Sequence, residues 1–391
     1  MKKAIIKILL SVTMIICLSA CTNKPADLPN INPYPQTEKN TLTESVNKPD
    51  TPNTQTPPPA LIDHETDTPP TPTMTRSRIT NEWVSKETAE TRPIAIIVPN
   101  SKTASQYGLS QAAILYECNV EGSMTRLMGI WDDWSDLDKI GNIRSIRDYF
   151  VYWALEWDAI LIHYGGPFYA DEILNKTGTQ NIDCLRYLGA SFRQDAKNTT
   201  DNAFTGTQVI RDAIDAHKYS LNYRIDIAAE NHFLFAAPGR PNTLRQYANS
   251  VNAKTIDMSP TYPLTNCYFK YNIESGLYDR FQHLSGESDG PHLDMMNGEQ
   301  LTFKNIIIQN TYYEQRDQQG YLAFQCHDNT RTGWFFTGGR GIRITWEKAR
   351  DNEPTRYYDE KGDEIEINTG KTMILIIQDG DSFLINGKRN P

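Results

Sequence analysis

The sequence predicts an α+β or α/β fold, with a mixed-sheet N-terminal domain that contains helices, followed by a smaller β-rich C-terminal domain. In the first domain, helix and strand patterns alternate up to residue 163 and end at a Gly-Gly pair. In the second, short apolar runs separated by glycine-containing turns fill residues 267–378 and predict strands and hairpins. The 391 residues allow one to three domains. We divide the chain into an N-terminal targeting segment at residues 1–21, a linker at residues 22–91, the α/β domain at residues 92–260 and the β-rich domain at residues 261–391.

The N-terminal segment has the features of a bacterial secretory signal. Lys2 and Lys3 precede a largely apolar run that is interrupted by Lys7. The run ends in Leu-Ser-Ala-Cys, which resembles the lipobox of bacterial lipoproteins and predicts lipidation (diacylglycerol and palmitate) at Cys21. Two or more acyl chains hold a protein stably on a membrane, so we expect a lipid-anchored protein on the extracytoplasmic face of the cell membrane. The alternative is an ordinary secretory peptide with a spare cysteine.

Residues 22–91 are expected to form a disordered tether. Twelve of the 22 prolines fall in this segment, together with many threonines and asparagines. Such a composition has too few apolar groups to offset the entropy of ordering. As a flexible coil, the segment would span roughly 45 Å, and proline lengthens it. The boundary is soft because Trp83 and Val84 are apolar.

Composition and missing motifs argue against several classes of function. The formal net charge of −9 argues against nucleic-acid binding. The four later cysteines are scattered without a CxxC pair, which indicates buried free thiols rather than a zinc site. The chain has no P-loop, G-x-S-x-G or H-E-x-x-H motif, so we expect no cofactor and no metal.

A basic segment at residues 139–150 is the first candidate site. Its apolar spacing predicts a helix with Arg144 and Arg147 in the first turns, three residues apart and on one face. Two guanidinium groups beside the free N–H groups of a helix start can bind an anion. The alternative is that both arginines are structural and pair with Asp148 or Glu156.

A predicted hairpin at residues 113–131 carries the second candidate site. Glu117 and Glu121 are evenly spaced, so on a regular strand they share a face and suit acid–base catalysis. His163, at the end of the next predicted strand, is the candidate general base. The alternatives are a solvated face or salt bridges with Arg126 and Arg144 for the glutamates, and a hydrogen-bonded, half-buried position for His163.

The C-terminal region adds weaker candidates. Arg280 lies two residues from Tyr278 on a predicted hairpin strand and could complement an anion, or could pair with Asp279 or Glu274. His292 and Asp294 have the residue types of metal ligands. Two ligands at this spacing are weak evidence, and hydrogen bonds within a turn explain them better.

Several short motifs occur in an order that resembles the YerB-type family of bacterial lipoproteins. In the first half they include Tyr-Glu at 116–117, Val-Glu-Gly at 120–122, Lys-Ile-Gly at 139–141 and Arg-Ser at 144–145; in the second half they include Pro-His-Leu-Asp at 291–294. The resemblance covers about residues 92–379. It implies a membrane-anchored protein of Gram-positive type bacteria, with a domain of unknown function and a C-terminal companion, and it implies no reaction. Where the family often has Pro-His-Asn, this chain has Thr-Asp-Asn ending at Asn202.

Three functional hypotheses follow. The first is binding of an anionic envelope ligand, such as a cell-wall fragment or a peptide carboxylate, in an arginine-rich cleft. The second is an envelope hydrolase or transferase that uses Glu117 or Glu121 with His163, so enzymatic activity stays open. The third is an assembly or regulatory partner of a membrane complex. The predicted ligand-binding residues are Arg144, Arg147, Arg126, Glu117, His163, Asn202 and Arg280.

Overall fold

The computed structural model describes residues 67–101, 104–194, 201–224, 232–282 and 289–390. The predicted lipidation site Cys21 and most of the predicted tether lie outside the described residues. The described residues all belong to the second of two compact units, Ile62–Pro391. Within them, no helix combines the length and the apolar character that a membrane span requires.

Four helices and twenty-five strands form within the described residues. The helices are α1 (Lys86–Glu90), α2 (Asp148–Leu155), α3 (Phe168–Thr177) and α4 (Thr207–His217). The strands before residue 250 are β1 (Met74–Arg76), β2 (Trp83–Ser85), β3 (Ile94–Asn100), β4 (Ile114–Asn119), β5 (Thr125–Trp131), β6 (Ile140–Gly141), β7 (Ile160–His163), β8 (Asn181–Asp183), β9 (Phe192–Arg193) and β10 (Ala203–Thr205). The later strands are β11 (Val251–Asn252), β12 (Thr255–Asp257), β13 (Tyr268–Asn272), β14 (Leu277–Gln282), β15 (Gly290–Pro291), β16 (Thr302–Phe303), β17 (Asn305–Thr311), β18 (Tyr313–Gln315), β19 (Leu322–Phe324), β20 (Asp328–Thr337), β21 (Arg340–Lys348), β22 (Arg356–Tyr358), β23 (Thr372–Gln378), β24 (Phe383–Ile385) and β25 (Lys388–Asn390).

An eleven-stranded mixed sheet forms the centre of the fold. Its strand order is β11-β21-β20-β17-β23-β4-β5-β3-β7-β8, and β22 pairs with β21. Strand β23, from near the end of the chain, lies parallel to both β17 and β4 and so joins the two halves of the sequence. The mixed sheet with few helices confirms the predicted α+β class. The β-rich region beyond residue 260 therefore extends the sheet of the N-terminal region.

Both faces of the central sheet are buried. Side chains alternate between the faces of a strand, so Ile94, Ile96 and Val98 of β3 join the core that contains α4, while Ala95 and Ile97 join the core that contains α2. A seven-stranded antiparallel sheet, with the order β15-β14-β13-β12-β24-β25 and β16 beside β14, contributes to the first core. Burial on both faces explains why these strands are continuous apolar runs in the sequence.

Helix α2 begins at Asp148, so the prediction that Arg144 and Arg147 lie in its first turns is wrong. Arg147 is the N-cap residue with an extended backbone, and Arg144 precedes it by three residues. The physical reason is a competing set of hydrogen bonds. The Arg144 N–H donates to Ile97 O at 2.8 Å, and the Arg144 carbonyl accepts from Tyr164 N at 3.0 Å. These bonds hold the Arg144 backbone between β3 and β7, just beyond the last residue pair of the two strands.

Two further expectations differ from the structure. The predicted hairpin is confirmed as β4 and β5, but Glu121 lies beyond β4, in a turn of 3-10 helix, and does not share a strand face with Glu117. Gly122, with a φ of 68°, lets the chain turn before β5.

Residues 74–90, expected to belong to the tether, form β1, β2 and α1, and Ile79, between β1 and β2, is buried. The scattered cysteines are buried free thiols, as predicted: Cys118, Cys184, Cys267 and Cys326.

Candidate anion-binding site

The candidate site lies where the parallel pairing of β3 with β7 ends, at Ile96 and Ile162. β3 and β7 pair from Ile94 and Ile160 onward, and then diverge around the backbone of Arg144. In open sheets of this kind, ligands bind outside the carboxyl ends of parallel strands, where neighbouring connections separate. Arg144 therefore lies between two inner strands of the sheet, on the side of their carboxyl ends, a position that suits ligand binding.

Three arginines converge at this position, and we call Arg126, Arg144 and Arg147 the arginine cluster. Arg126 Nη1 donates to Ser145 O at 2.6 Å, and Arg147 Nη1 approaches the same carbonyl oxygen at 3.4 Å. Arg126 comes from β5, whereas the other two flank Ser145 in the segment before α2. One carbonyl oxygen thus holds two cationic side chains from different elements.

Arg147 is paired with Glu121. Its Nε and Nη2 atoms both donate to the Glu121 carboxylate, with 2.7 Å between Nη2 and Oε2. Nη1 points the other way and donates to Ile146 O at 2.7 Å. Burial raises the pKa of the Glu121 carboxyl, but the hydrogen-bonded Arg147 guanidinium more than offsets this effect, so that the pKa lies below its ordinary value. The pair is a bidentate, charge-assisted contact of the strong type.

Arg126 has a different environment. It is 6% exposed, and within the described part of the chain it forms no ion pair with a carboxylate. Burial, and then the nearby charge of Arg147, lower the pKa of Arg126 to about 10. A buried guanidinium that donates to one backbone carbonyl is poorly compensated for its loss of water.

Arg144 is the most accessible member of the cluster. Its side chain is 33% exposed, and Nε lies 3.5 Å from Oδ1 of the buried Asp201. The next residue, Asn202, accepts a hydrogen bond from Arg193, whose Nη2 donates to Tyr164 Oη at 2.7 Å. The structure therefore places the buried Asn202 directly after the ion-pair partner of Arg144, and adds Arg193, which the sequence did not single out.

A hairpin from the C-terminal region covers the other side of the cluster. The guanidinium carbon of Arg147 lies 5.2 Å from the centre of the Tyr321 ring, in the loop between β18 and β19. In the same loop, Arg316 Nη2 pairs with Asp148 Oδ2 at 2.7 Å, and Asp317 accepts a hydrogen bond from Tyr169 Oη at 3.1 Å. No local sequence signal indicates this contact, because Arg316 and Asp148 are 168 residues apart.

Glu117 and Arg280 do not lie at this site. Both side chains are fully buried, and Arg280 Nη2 pairs with Glu117 Oε2 at 2.8 Å. Glu117 also accepts hydrogen bonds from Asn100 and Thr125, at 2.9 and 2.7 Å. Burial lowers the pKa of Arg280, but Glu117 more than offsets this, so the pKa lies above its ordinary value. The pair links β4 to β14 and has no surface for a ligand, a result that differs from the predicted ligand-binding role.

His292 and Asp294 are also fully buried and hydrogen-bonded, His292 directly to Arg280 of this pair. Nδ1 of His292 accepts a hydrogen bond from Arg280 Nε at 3.0 Å. Asp294 accepts from the backbone N–H groups of Gly108 and Ser110, both at 2.8 Å. Hydrogen bonds to the neighbouring loop thus account for Asp294, and no group of three or more potential metal-ligating side chains occurs among the described residues.

His163 is also occupied within the fold. It is 1% exposed, and its ring nitrogens face Gly165 O at 3.0 Å and Asn181 Oδ1 at 3.1 Å. In the sheet, β5 and β3 separate the strand of Glu117 from the strand of His163, a distance of about 14 Å at the usual strand spacing. The candidate acid–base residues Glu117, Glu121 and His163 therefore have separate partners and do not form one constellation.

Three cavities of the described part lie elsewhere. One of about 100 Å³ lies beside Asp132 and Arg211, one of about 260 Å³ beside Thr207, and one of about 220 Å³ beside Lys304. No member of the arginine cluster lines any of the three. The cluster is therefore not the base of one of these cavities.

Comparison with known proteins identifies the family. The domain described as "Protein of unknown function (DUF3048) N-terminal domain" matches residues 79–220, and its C-terminal counterpart matches residues 257–374. The chain belongs to this family. It is similar to "Putative lipoprotein YerB" of Bacillus subtilis (strain 168), with 25% identity over 323 residues, covering 81% of this chain and 91% of the relative.

A solved structure is similar as well. The crystal structure of YerB protein from Bacillus subtilis matches with a TM-score of 0.64 and 22% identity, and the match covers 78% of this chain and 96% of that chain. At this identity, the likeness shows a shared fold. The arginine cluster falls within the range of the N-terminal family domain, and Arg316 and Tyr321 fall within that of the C-terminal domain. The candidate site is thus built from both family domains.

Proposed function

We propose that this protein is a lipid-anchored, extracytoplasmic protein whose arginine cluster binds an anionic ligand of the cell envelope, such as a wall fragment or a peptide carboxylate. Family membership and a relative named as a lipoprotein support a lipoprotein of uncertain activity. The Leu-Ser-Ala-Cys motif at Cys21 supports lipid attachment. The proline-rich segment after it would let the folded part reach ligands away from the bilayer.

The observation that carries the proposal is the environment of Arg126. This guanidinium is buried beside a second cation, Arg147, and no carboxylate of the described residues lies within ion-pair distance of it; Glu121, which acts on Arg126 from farther away, is already paired with Arg147. A purely structural buried charge is normally paired, because an unpaired one destabilises the fold. An anion that contacts Arg126 would supply the missing charge.

The charge balance of the surrounding groups supports an anionic ligand. Three guanidinium groups face two carboxylates, Glu121 and Asp201, because Arg316 is already paired with Asp148. The cluster therefore keeps one positive charge in excess, in a protein of net charge −9. Local positive potential on an acidic protein favours a specific anion site over general attraction to anionic polymers.

The test uses the full-length chain in non-ionic detergent and an Arg126→Met variant. Met keeps most of the apolar volume and removes the charge. We expect the variant to bind solubilised wall fragments about ten- to a hundredfold more weakly, since hydrogen bonds to charged groups contribute roughly 1.5–3 kcal/mol. We also expect its free energy of unfolding to stay the same or rise, because an unpaired buried charge is removed.

Arg245→Met is the matched control, since Arg245 is exposed and lies outside the cluster. Isothermal titration calorimetry with the wild type, the variant and the control measures binding directly. Equal binding by all three would overturn the proposal. A large loss of stability in Arg126→Met would instead assign Arg126 a structural role.

A further inference from the structure

We infer that Glu121 occupies, within the folded chain, the place that a ligand carboxylate takes on Arg147, so that ligand binding is an exchange of one carboxylate for another. This inference rests on the proposed anion-binding function and names its ligand class as a carboxylate. Three features of the contact support it: the orientation of the guanidinium, the freedom of Glu121, and the cover provided by the β18–β19 hairpin.

The guanidinium of Arg147 is anchored without Glu121. Nη1 donates to Ile146 O at 2.7 Å, and the Tyr321 ring lies against the group at 5.2 Å. The opposite edge, formed by Nε and Nη2, carries the two donors that Glu121 accepts. This edge is the fork that matches a planar carboxylate. If Glu121 leaves, the fork stays in position for the next carboxylate.

Glu121 can leave by rotation of its side chain alone. Its backbone is held in the turn, because Val120 N donates to Met124 O at 2.8 Å and Met124 N donates to Glu121 O at 3.4 Å. The side chain of Glu121 is 16% exposed, more than the 9% of Arg147. The carboxylate therefore has a path to solvent, whereas the guanidinium remains held by the surrounding chain.

The β18–β19 hairpin keeps the contact partly covered. A methyl group placed on Gly320 would lie 3.8 Å from Glu121 Cβ, so the tip of the hairpin loop passes close to Glu121. Partial removal from water strengthens a charge-assisted pair. The neighbouring Arg126 supplies a second cation, which Glu121 does not use within the described hydrogen bonds.

An internal carboxylate lowers the apparent affinity for an external one. A partly exposed ion pair contributes about 0.2–1 kcal/mol. Removal of the Glu121 carboxylate should therefore raise the affinity for a carboxylate ligand about 1.4- to fivefold, and more if the partial burial strengthens the pair.

The experiment measures binding of a short acetylated peptide with a free C-terminal carboxylate, its C-terminal amide and inorganic phosphate to the full-length chain. The variants are Glu121→Gln, which removes the charge, and Glu121→Asp, which keeps the charge but shortens the reach. Glu360→Gln, at an exposed position, controls for the loss of one negative charge. We expect both Glu121 variants to bind the free peptide more tightly than the wild type, and the amide and the Glu360 variant to show no gain.

The outcomes separate this inference from the proposed function. If the wild type binds anions and neither Glu121 variant binds the free peptide more tightly, the exchange is wrong and the anion site stands. If no protein binds any anion, both proposals fail. A gain in affinity for Glu121→Gln alone would indicate a general charge effect and would overturn the exchange. The exchange predicts a gain for Glu121→Asp as well, because the Asp side chain is one methylene shorter and is expected to leave the Nε and Nη2 edge of Arg147 open. A gain for phosphate equal to that for the peptide would overturn the assignment to carboxylates.

Discussion

Two arginine–carboxylate contacts in this protein differ in their surroundings, and the difference separates structure from function. Glu117 and Arg280 are fully buried and surrounded by further hydrogen-bonding partners, so their charges balance inside the fold. The arginine cluster, beside the point where the pairing of β3 and β7 ends, is partly open to solvent, and its Arg126 has no carboxylate within ion-pair distance among the described residues. A closed set of charges stabilises a fold, whereas an unbalanced set at the surface can receive a ligand.

The largest expected effect comes from breaking the buried pair. Arg280→Met should reduce the free energy of unfolding by about 3–5 kcal/mol, because Glu117 would stay buried without its cation. Urea unfolding followed by tryptophan fluorescence measures this change. The double variant Glu117→Leu with Arg280→Met should recover much of the loss, since it buries no unpaired charge. A loss below about 1 kcal/mol in the single variant would contradict the closed-pair interpretation.

A second buried pair sharpens the comparison through its pH dependence. Glu156 Oε2 lies 3.1 Å from Lys348 Nζ, and Thr355 N, Thr355 Oγ1 and Tyr116 Oη also donate to this carboxylate. Burial raises the pKa of Glu156. Lys348, then the nearby His232 and Tyr116, lower the pKa by more than burial raises it, so it lies below its ordinary value. Ionised Glu156 therefore stabilises the fold above the unfolded pKa of about 4.3, and this contribution is lost as the pH falls towards the folded value.

Lys348→Met removes the largest influence that lowers the pKa of Glu156, whereas burial, which raises it, remains. We therefore expect the pKa of Glu156 in the folded state to rise, so that a fall in pH costs the folded variant less than the folded wild type. We expect a loss of about 3 kcal/mol at pH 7 and a clearly smaller loss at pH 4. Urea unfolding of wild type and variant at both pH values measures the difference. The same loss at both pH values would show that the titration of Glu156 is not coupled to Lys348.

The sequence predicted the parts of this molecule that local patterns determine. The apolar runs of β3, β7 and β23 and the turn between β4 and β5 appear as periodic or glycine-marked segments, so their structures follow from nearby residues. The predicted start of α2 was wrong because the backbone of Arg144 forms hydrogen bonds with Ile97 and Tyr164. Hydrogen bonds between segments that are distant in the sequence leave no local pattern.

The predicted site shows the same limit. Arg126, Arg144 and Arg147 were selected by residue type, and the fold brings them together around Ser145. Arg280 was selected by the same criterion, but it pairs with Glu117, 163 residues away, in the interior. Residue type alone cannot separate these cases, since burial and partners are set by the strand order of the sheet. The cover by Arg316 and Tyr321 was missed for the same reason.

The smallest expected effect on stability belongs to Arg144→Met, and this variant completes the comparison. The pair with Asp201 is one-third exposed on the arginine side, and such surface contacts contribute about 0–1 kcal/mol. We expect the unfolding midpoint in urea to change little, whereas the affinity for wall fragments falls severalfold because a guanidinium of the cluster is lost. Raising the salt concentration from 0.05 to about 0.5 M should weaken binding to the wild type more than binding to the variant, since exposed charges are screened. A stability loss as large as that of Arg280→Met would show that the two contacts are alike. The separation between a structural pair and an open cation cluster would then have no basis.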